Sequence, residues 1–156
     1  MPIQFPVAPG TLLLCDYSTG FREPEMVKRR PAVVISPRLP HRNGLCTVVP
    51  LSTTPPEQDV PYVCRLDLMV QLPEPFSART VWAKADMMAT VGFQRLDLFR
   101  TGRDQYGKRK YLQLKLPAED LTRVRNAVLH ALGLGGLTAD TGQTTLLAIA
   151  HGPMDR

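Results

Sequence analysis

The sequences AVVIS, residues 32–36, and CTVVPLS, residues 46–52, decide the fold of this chain. Both are short runs of β-branched residues, and prolines or charged residues that favour turns flank them. Such runs are typical of strands buried on both faces of a sheet. Pro50 has no amide hydrogen to donate, so we expect it at the edge or the end of its strand. The two sequences therefore predict two strands, separated by a loop over residues 37–44.

Further short strands are predicted on both sides of this pair. They are TLLLCDY at 11–17, VPYVCRL at 60–66, TVWAK at 80–84 and KYLQLKL at 110–116. The last run alternates, which places Leu112, Leu114 and Leu116 on one face. Fifteen prolines among 156 residues disfavour a helical bundle. Many short, evenly punctuated strands predict a small, strongly bent sheet or barrel.

One helix is predicted after the last strand. Pro117 suits the first helical position, Glu119 and Asp120 suit the positive N-terminal end, and Gly133 suits a left-handed C-terminal cap. The predicted apolar stripe consists of Leu121, Val124, Val128 and Leu132. The side predicted to face water carries Arg123, Arg125 and Asn126. We expect the helix to pack on the sheet as a C-terminal element of a domain over residues 1–133, and residues 134–156 to form a loosely held tail.

Composition limits the classes of partner and compartment. An apolar content of 44% is enough for one hydrophobic core. The formal charge of +5 favours nucleic acid or an acidic protein as partner. No apolar run approaches the roughly 18 residues of a membrane span, and the first residues do not resemble an export signal. Three cysteines without a CxxC pair fit a reducing cytoplasm.

Several classes of catalytic site are disfavoured by the residues themselves. The chain has no phosphate-binding loop of the Walker type, no GxGxxG, no HExxH and no GxSxG motif. His41, His130 and His151 do not form a metal-ligand pair at helical spacing, so we predict neither a metal nor another cofactor. The three cysteines lie in apolar strand runs, which predicts buried structural thiols and not nucleophiles.

Basic residues cluster beside the ends of the predicted strands. Three groups are present, namely Lys28, Arg29 and Arg30, then Arg38 and Arg42, and then Arg103, Lys108, Arg109 and Lys110. Each group taken alone is best interpreted as a solvated surface. Together they are also suited to binding a chain of phosphates. Trp82 and Tyr17 are able to stack on bases, although a position in the core is the better interpretation of Trp82.

Four segments, in this order, give the chain a family resemblance. They are Gly20 to Glu25, KRRPAVVISP at 28–37, NGLCTVVPLST at 43–53 and VWAKADMMATVGFQRL at 81–96. This ordered set resembles the MazF/PemK family of toxin-antitoxin endoribonucleases over roughly residues 8–133. The resemblance implies a small SH3-like barrel with a C-terminal helix, a homodimer, and metal-independent, sequence-selective cleavage of single-stranded RNA. It also implies an acidic antitoxin protein as partner.

The resemblance also assigns catalytic positions. Arg30 matches the arginine that precedes the family's proline, and Ser52 lies where many members have a catalytic threonine. Glu25 matches a glutamate in the loop. Lys84 and Asp86 occupy the places of an arginine and an aspartate credited with acid and base roles. The RNA-binding positions are Lys28, Arg29, Arg38, Arg42 and Thr53, and Thr53 is also an alternative source of the hydroxyl.

These residue types suit RNA cleavage in which the ribose 2′-hydroxyl attacks its own phosphate. Such a reaction needs removal of one proton, neutralisation of charge on the phosphoryl oxygens and protonation of the departing 5′-oxygen. Arg30 stays charged at any accessible pH and is suited to clamping the phosphate. Asp86 or Glu25 is suited to accepting the proton. Two non-catalytic interpretations stay open. They are an ordinary salt bridge between Lys84 and Asp86, and a loop-ordering role for Glu25.

Two other functions compete with cleavage. The same barrel resembles the CcdB-type gyrase poison, but that type depends on a C-terminal tryptophan, whereas the single tryptophan here is Trp82. A second alternative is an inactive member of the family that binds only RNA or an antitoxin. The serine at position 52 keeps this alternative open.

Overall fold

The structure is a computed structural model, and it describes residues 2–140. This part of the chain contains ten strands and one α-helix. The strands are β1 (Thr11–Asp16), β2 (Arg29–Val34), β3 (Leu45–Ser52), β4 (Val63–Asp67), β5 (Thr80–Lys84), β6 (Ala89–Gly92), β7 (Leu96–Asp97), β8 (Phe99–Arg103), β9 (Arg109–Leu112) and β10 (Leu114–Lys115), and the helix is α1 (Ala118–Ala131). The described residues are therefore mainly β, with one helix after the last strand, as predicted.

The main sheet is antiparallel and follows the order β10-β1-β2-β3-β5-β4. β6 pairs with the first half of β3, and β7 pairs with β1. Within residues 2–140 this sheet is not closed by hydrogen bonds, because β4 and β10 stay at its two edges. The predicted β fold with a C-terminal helix is confirmed, but within residues 2–140 the sheet is not closed into a barrel. β8 and β9 form a separate two-stranded hairpin.

The two sequences that predicted the fold pair with each other at the centre of the sheet. Ala32 of β2 lies opposite Pro50 of β3, and Val34 lies opposite Val48. Pro50 is an interior residue of β3 and is buried. It is tolerated because the neighbour of β3 changes there, from β6, which pairs as far as Val48, to β5, which pairs from Leu51. The proline thus occupies a gap in the ladder and not the edge we expected.

The central strands separate two buried clusters because successive side chains point to opposite faces. The first core cluster includes the helix and is formed by Leu12, Val33, Val49, Leu51, Cys64, Leu66, Leu68, Leu72, Val81, Ala83, Ala85, Phe99, Leu114, Leu116, Val124 and Ala127. The second core cluster is formed by Leu13, Cys15, Tyr17, Ala32, Val34, Val48, Val91 and Leu96. The face of the sheet that carries the second core cluster also carries the candidate site.

The helix ends at the predicted glycine cap, but it begins at Ala118, because Pro117 is the N-cap and not the first helical residue. Its polar side does not simply face water. Gly133 adopts a left-handed conformation with φ of 74°. The amide of Leu134 donates to the carbonyl of Leu129 at 2.7 Å, which completes the glycine cap. Leu132 is 54% exposed, so the prediction that it belongs to the apolar stripe is wrong.

All three side chains predicted to face water are bound to other parts of the protein. Arg123 donates to the carbonyl of Arg65, Arg125 donates to that of Ile35, and Asn126 exchanges two hydrogen bonds with Ala139. Backbone carbonyl groups of other segments provide acceptors that helix periodicity does not reveal.

Several predicted segments have different bounds in the structure. The strand predicted at 32–36 lies at Arg29–Val34, and the strand predicted at 60–66 lies at Val63–Asp67. The strand predicted at 110–116 is divided into β9, which pairs with β8, and β10, which pairs with β1. Leu114 and Leu116 are nevertheless buried and Leu112 is half-buried, so the predicted face is confirmed. In the predicted tail, Gly135–Leu137 form a 3-10 turn, and the part from residue 141 onward lies outside the described residues. The boundary at residue 133 stays a prediction.

Candidate functional site

Arg30 lies at the start of β2, opposite Cys15 of β1. Its side chain is on the same face as Ala32 and Val34 because it is two and four residues away from them. The Nε atom of Arg30 is buried and has no hydrogen-bond acceptor within residues 2–140. No carboxylate of that part of the chain forms an ion pair with it. A half-buried guanidinium without a counterion is a strong site for a phosphate group.

Ser52 is the last residue of β3 and lies at the same end of the sheet as Arg30. Ala32 and Pro50 are the last pair of the β2–β3 ladder at this end. Arg30 and Ser52 each lie two residues beyond that pair, so their side chains continue the same face. The Ser52 Oγ accepts a hydrogen bond from the amide of Thr54 at 3.1 Å, and the Ser52 hydroxyl donates one to the Thr54 carbonyl at 3.2 Å. This turn holds the hydroxyl in place.

β5 adds two half-buried side chains to this face. Trp82 is the cross-strand partner of Ser52. Lys84 lies two residues further along β5 and therefore points to the same side. Val81 and Ala83, which alternate with them, belong to the first core cluster. Trp82 is thus not part of either buried cluster and borders the site.

Two carboxylates line one cleft, of about 480 Å³, on the face of the second core cluster. Glu25 enters this cleft from the loop before β2, and Asp86 enters it from the 3-10 turn Ala85–Met87. Tyr17 and Phe21 form part of the apolar wall. The Oε2 atom of Glu25 accepts from the amide of Arg22 at 2.7 Å, so the loop-ordering role is real. The exposed carboxylate of Asp86 points into solvent-accessible space.

The relation predicted between Lys84 and Asp86 is different in the structure. β5 ends at Lys84, and the chain turns immediately into the 3-10 turn. The condition for placing both side chains on one strand face is therefore not met. Within residues 2–140 they do not form a salt bridge. Their approach to a common substrate depends on the turn, and not on strand alternation.

The predicted RNA-binding residues are divided between two ends of the sheet. Lys28, Arg29 and Thr53 adjoin Arg30 and Ser52 in the chain, and all three are exposed. Arg29 also pairs with Asp97 at 3.5 Å. Arg38 and Arg42 lie in the loop between β2 and β3, at the opposite end of these strands, where they line a separate small pocket. Strand direction separates the two groups by the length of β2.

Thiol chemistry is not available at this site. Cys15 and Cys64 are buried, and Cys46 is half-buried. Desolvation by burial raises the pKa of Cys15 to about 11 and that of Cys46 to about 11. Burial also raises the pKa of Cys64. These thiols are protonated at neutral pH, which agrees with the structural role that we predicted.

Sequence reasoning missed Arg65, an exposed residue of β4. Its cross-strand partner is Trp82, which in turn lies opposite Ser52, so Arg65 extends the polar face of the site. Its guanidinium pairs with Asp67 at 3.3 Å. The pairing of β4 with β5 is the signal that would have found it, and local periodicity does not specify that pairing.

Two further features are absent from the part of the chain that the structure describes. Within residues 2–140 no group of three or more histidine, cysteine, aspartate or glutamate side chains is placed to hold a metal ion. In the same range no helix has both the length and the apolar character needed to cross a bilayer.

Comparison with known proteins gives a consistent result. Residues 8–132 match the family described as the PemK-like, MazF-like toxin of type II toxin-antitoxin systems. The chain is 29% identical over 132 residues to the protein YifN of Escherichia coli K12, covering 83% of each chain. It is 28% identical over 139 residues to a protein of Haemophilus influenzae, covering 82% of this chain and 91% of that protein.

Two solved structures have the same fold. One is MazF from Deinococcus radiodurans, with a TM-score of 0.54 and 22% identity, covering 83% of this chain and 99% of that one. The other is a mycobacterial endoribonuclease in complex with its cognate antitoxin, with a TM-score of 0.51 and 21% identity, covering 83% of this chain and 97% of that one. The likeness to both structures supports the mainly antiparallel fold.

Proposed function

The chain belongs to the family of PemK-like, MazF-like toxins of type II toxin-antitoxin systems, and on that premise we propose that it is an endoribonuclease that cleaves single-stranded RNA. The observation that carries the proposal is the common face of Arg30 and Ser52, two residues beyond the last pair of the β2–β3 ladder. That face carries a buried guanidinium nitrogen without an acceptor within residues 2–140 and a hydroxyl held by the amide of Thr54. That combination fits a phosphodiester.

The reaction needs no external nucleophile. The 2′-hydroxyl attacks the adjacent phosphorus, a cyclic phosphate forms, and the bond to the 5′-oxygen of the next nucleotide breaks. Arg30 stabilises the negative charge that grows on the phosphoryl oxygens, and the Ser52 hydroxyl donates to one of them. Lys84 adds a positive charge on the same face. None of these steps requires a metal ion to neutralise the charge on the phosphoryl oxygens.

The proton transfers are assigned to the carboxylate cleft. Glu25 and Asp86 line the same cavity, so both can approach a ribose that enters it. One carboxylate accepts the proton of the 2′-hydroxyl. Glu25 is already engaged by the Arg22 amide, whereas Asp86 is exposed, which makes Asp86 our choice for the base. The protonated carboxyl group then donates this proton to the departing 5′-oxygen, which completes the reaction.

Partners follow from charge and family. We assign to the protein an acidic antitoxin, by analogy with the mycobacterial relative that was solved with its cognate antitoxin. The net charge of +5 is complementary to such a partner and to RNA. A homodimer in the cytoplasm that cuts mRNA at selected sequences, and so inhibits translation, completes the proposal.

Replacement of Arg30 tests the proposal directly. The variant Arg30→Ala is expected to cut a mixed single-stranded RNA pool roughly 10²- to 10³-fold more slowly, because one charge-stabilising group is lost. Arg30→Lys should retain part of the rate, since it keeps the charge but not the two-pronged contact. Initial cleavage rates in the presence of a chelator, with sequencing of the new ends, give the measurement.

The matched control is Lys115→Gln, which removes one exposed positive charge from β10, away from the site. It should cut at the wild-type rate. Circular dichroism of all variants checks that each is folded. Wild-type cutting by Arg30→Ala would show that the arginine has no catalytic role.

A further inference from the structure

The β8–β9 hairpin carries the strongest basic surface that the proposed reaction does not use. Five cationic residues lie on or between its strands, and all are exposed. They are Arg100, Arg103, Lys108, Arg109 and Lys110. The one carboxylate of the hairpin, Asp104, is occupied by the backbone amides of Tyr106 and Lys108, at 2.8 and 2.9 Å. Within residues 2–140 no carboxylate forms a salt bridge with the five cations.

Strand pairing collects three arginines and a tyrosine on one face of the hairpin. Arg100 lies opposite Tyr111, and Arg103 lies opposite Arg109. A register shift between Arg100 and Gly102 brings Arg100 and Arg103 to the same side, although they are three residues apart. Cross-strand partners share a face, as do residues two apart in a strand. We call this set of four side chains the arginine face.

The opposite side of the hairpin explains why the arginine face is directed outward. Phe99 is buried in the first core cluster, and Leu112 packs against that cluster. These two residues are cross-strand partners, so they anchor the base of the hairpin on the core. The arginine face therefore has a fixed orientation and is not a freely moving loop.

Arg103 and Arg109 are an unfavourable pair for the protein alone. Like charges that lie directly opposite in an antiparallel pair are destabilising. Arg103 donates one hydrogen bond to the carbonyl of Gly107, at 2.7 Å, but this contact does not neutralise either charge. A bound anion between the two guanidinium groups would remove the repulsion. The arrangement is thus better suited to a bound state than to the free protein.

The ligand class follows from the combination of groups. Guanidinium groups bind phosphates through two parallel hydrogen bonds, and an exposed aromatic ring stacks on a base. Tyr111 is 39% exposed on the arginine face, and Tyr106 is 80% exposed at the hairpin tip. An acidic peptide would use the charges but not the rings. Single-stranded RNA uses both.

The hairpin is also continuous with the start of β2. Arg100, at the base of the hairpin, and Arg29, next to Arg30 in the chain, line one pocket of about 300 Å³. Arg29 and Arg30 are consecutive residues of β2, so their side chains project to opposite faces of the sheet, and a polynucleotide bound at Arg30 reaches Arg29 and Arg100 by passing around the start of β2. We infer that the arginine face is a second RNA-binding surface that holds the strand flanking the cleavage point. This inference rests on the proposed function.

The test measures RNA binding without cleavage. The probe is a single-stranded RNA oligonucleotide in which every ribose carries a 2′-O-methyl group, so that self-attack is blocked. Fluorescence anisotropy follows binding between about 50 and 200 mM salt. The double variant Arg103→Gln with Arg109→Gln should bind roughly tenfold more weakly at the lower salt. The slope of log affinity against log salt should fall by about 1.4, or about 0.7 for each lost phosphate contact.

The control is Lys115→Gln, which removes one exposed positive charge outside the hairpin and should leave the salt slope unchanged. Tyr111→Leu should bind roughly tenfold more weakly with an unchanged slope, because stacking does not release counterions. The single variant Arg109→Gln should melt at the wild-type temperature or above it, since it removes a repulsive pair. Weaker binding in these variants is then not a consequence of misfolding.

Three results would overturn the inference. One is equal binding by the hairpin double variant and its control. Another is a large fall in melting temperature for Arg109→Gln. The third is that the hairpin variants lose affinity for a poly-glutamate peptide but keep their affinity for RNA, which would make the arginine face a protein-binding surface. The two proposals can fail separately. If the protein cuts RNA but the hairpin variants bind RNA as tightly as the wild type, only the RNA-binding role of the hairpin is wrong. If the hairpin binds RNA but the protein does not cut it, only the nuclease activity is wrong.

Discussion

At the scale of single residues, the candidate site consists of side chains that lie at the ends of strands and are only half-buried. Arg30 and Ser52 continue the face of the second core cluster at the point where the β2–β3 ladder stops. Just inside that end, Ala32 and Val48 are fully buried. At the end itself both polar groups stay half-buried. For the proposed reaction, partial burial would strengthen the attraction of the Arg30 guanidinium for a phosphate and would keep it accessible.

The hydroxyl at position 52 is the most direct residue-scale prediction. Ser52→Ala should lower the cleavage rate by roughly 10- to 100-fold, since one hydrogen-bond donor to the phosphate is lost. Ser52→Thr should retain activity, because it keeps the hydroxyl. Thr53→Ala is the matched comparison, as Thr53 is exposed and is the alternative donor. A normal rate for Ser52→Ala together with a slow rate for Thr53→Ala would transfer the role to Thr53.

At the scale of elements, the helix positions the sheet as well as covering it. Val124 and Ala127 pack into the first core cluster. On the other side of α1, Arg125 makes two hydrogen bonds to the carbonyl of Ile35, of 3.2 Å from Nε and 2.8 Å from Nη2. Ile35 directly follows β2. The helix is thus bound to the strand whose other end carries Arg30.

Loss of this contact gives an element-scale prediction. Arg125→Gln should lower the free energy of unfolding by about 1 kcal/mol, the ordinary net value of an exposed charged hydrogen bond to a carbonyl. Arg125→Lys should lie between that variant and the wild type. Urea denaturation followed by circular dichroism measures the difference, with Lys115→Gln as the control for charge alone. An unchanged midpoint for Arg125→Gln would show that the contact does not stabilise the fold.

At the scale of the whole molecule, the two core clusters make the fold sensitive to high pH. Burial raises the pKa of Cys15 from 9.0 to about 11. Below pH 9 the thiol is protonated in both the folded and the unfolded chain, so it does not favour either state. Between pH 9 and about 11 the unfolded chain loses its proton first, which favours unfolding. Burial also raises the pKa of Tyr17, in the same cluster.

Stability should therefore decrease as the pH rises from about 9 to about 11. Cys15 lowers the free energy of unfolding by about 2–3 kcal/mol once its thiol is deprotonated in both states, since each unit of pKa difference corresponds to about 1.4 kcal/mol. Melting temperatures measured across this range should fall less for Cys15→Ala than for the wild type, whatever the starting stability of the variant. Parallel curves for the two proteins would show that Cys15 does not cause the effect.

Local sequence determined the elements of this protein and the ordered motifs that identify its family. The branched run at residues 32–34 forms part of a buried strand, because its side chains fit a pleated, buried surface. The cap at Gly133 is equally local, since it needs only a left-handed residue after the last turn. The candidate residues Arg30 and Ser52 also came from motifs in the chain.

Tertiary structure alone decided which of these residues meet. Pairing of β2 with β3 brings Arg30 and Ser52 to one face, and pairing of β4 with β5 adds Arg65 beside Trp82. The same pairing sends Arg38 and Arg42 to the opposite end, although they lie near Arg30 in sequence. Period and propensity describe one strand at a time, whereas register is a property of two strands. For that physical reason, only the folded chain shows which residues share the face of the candidate site.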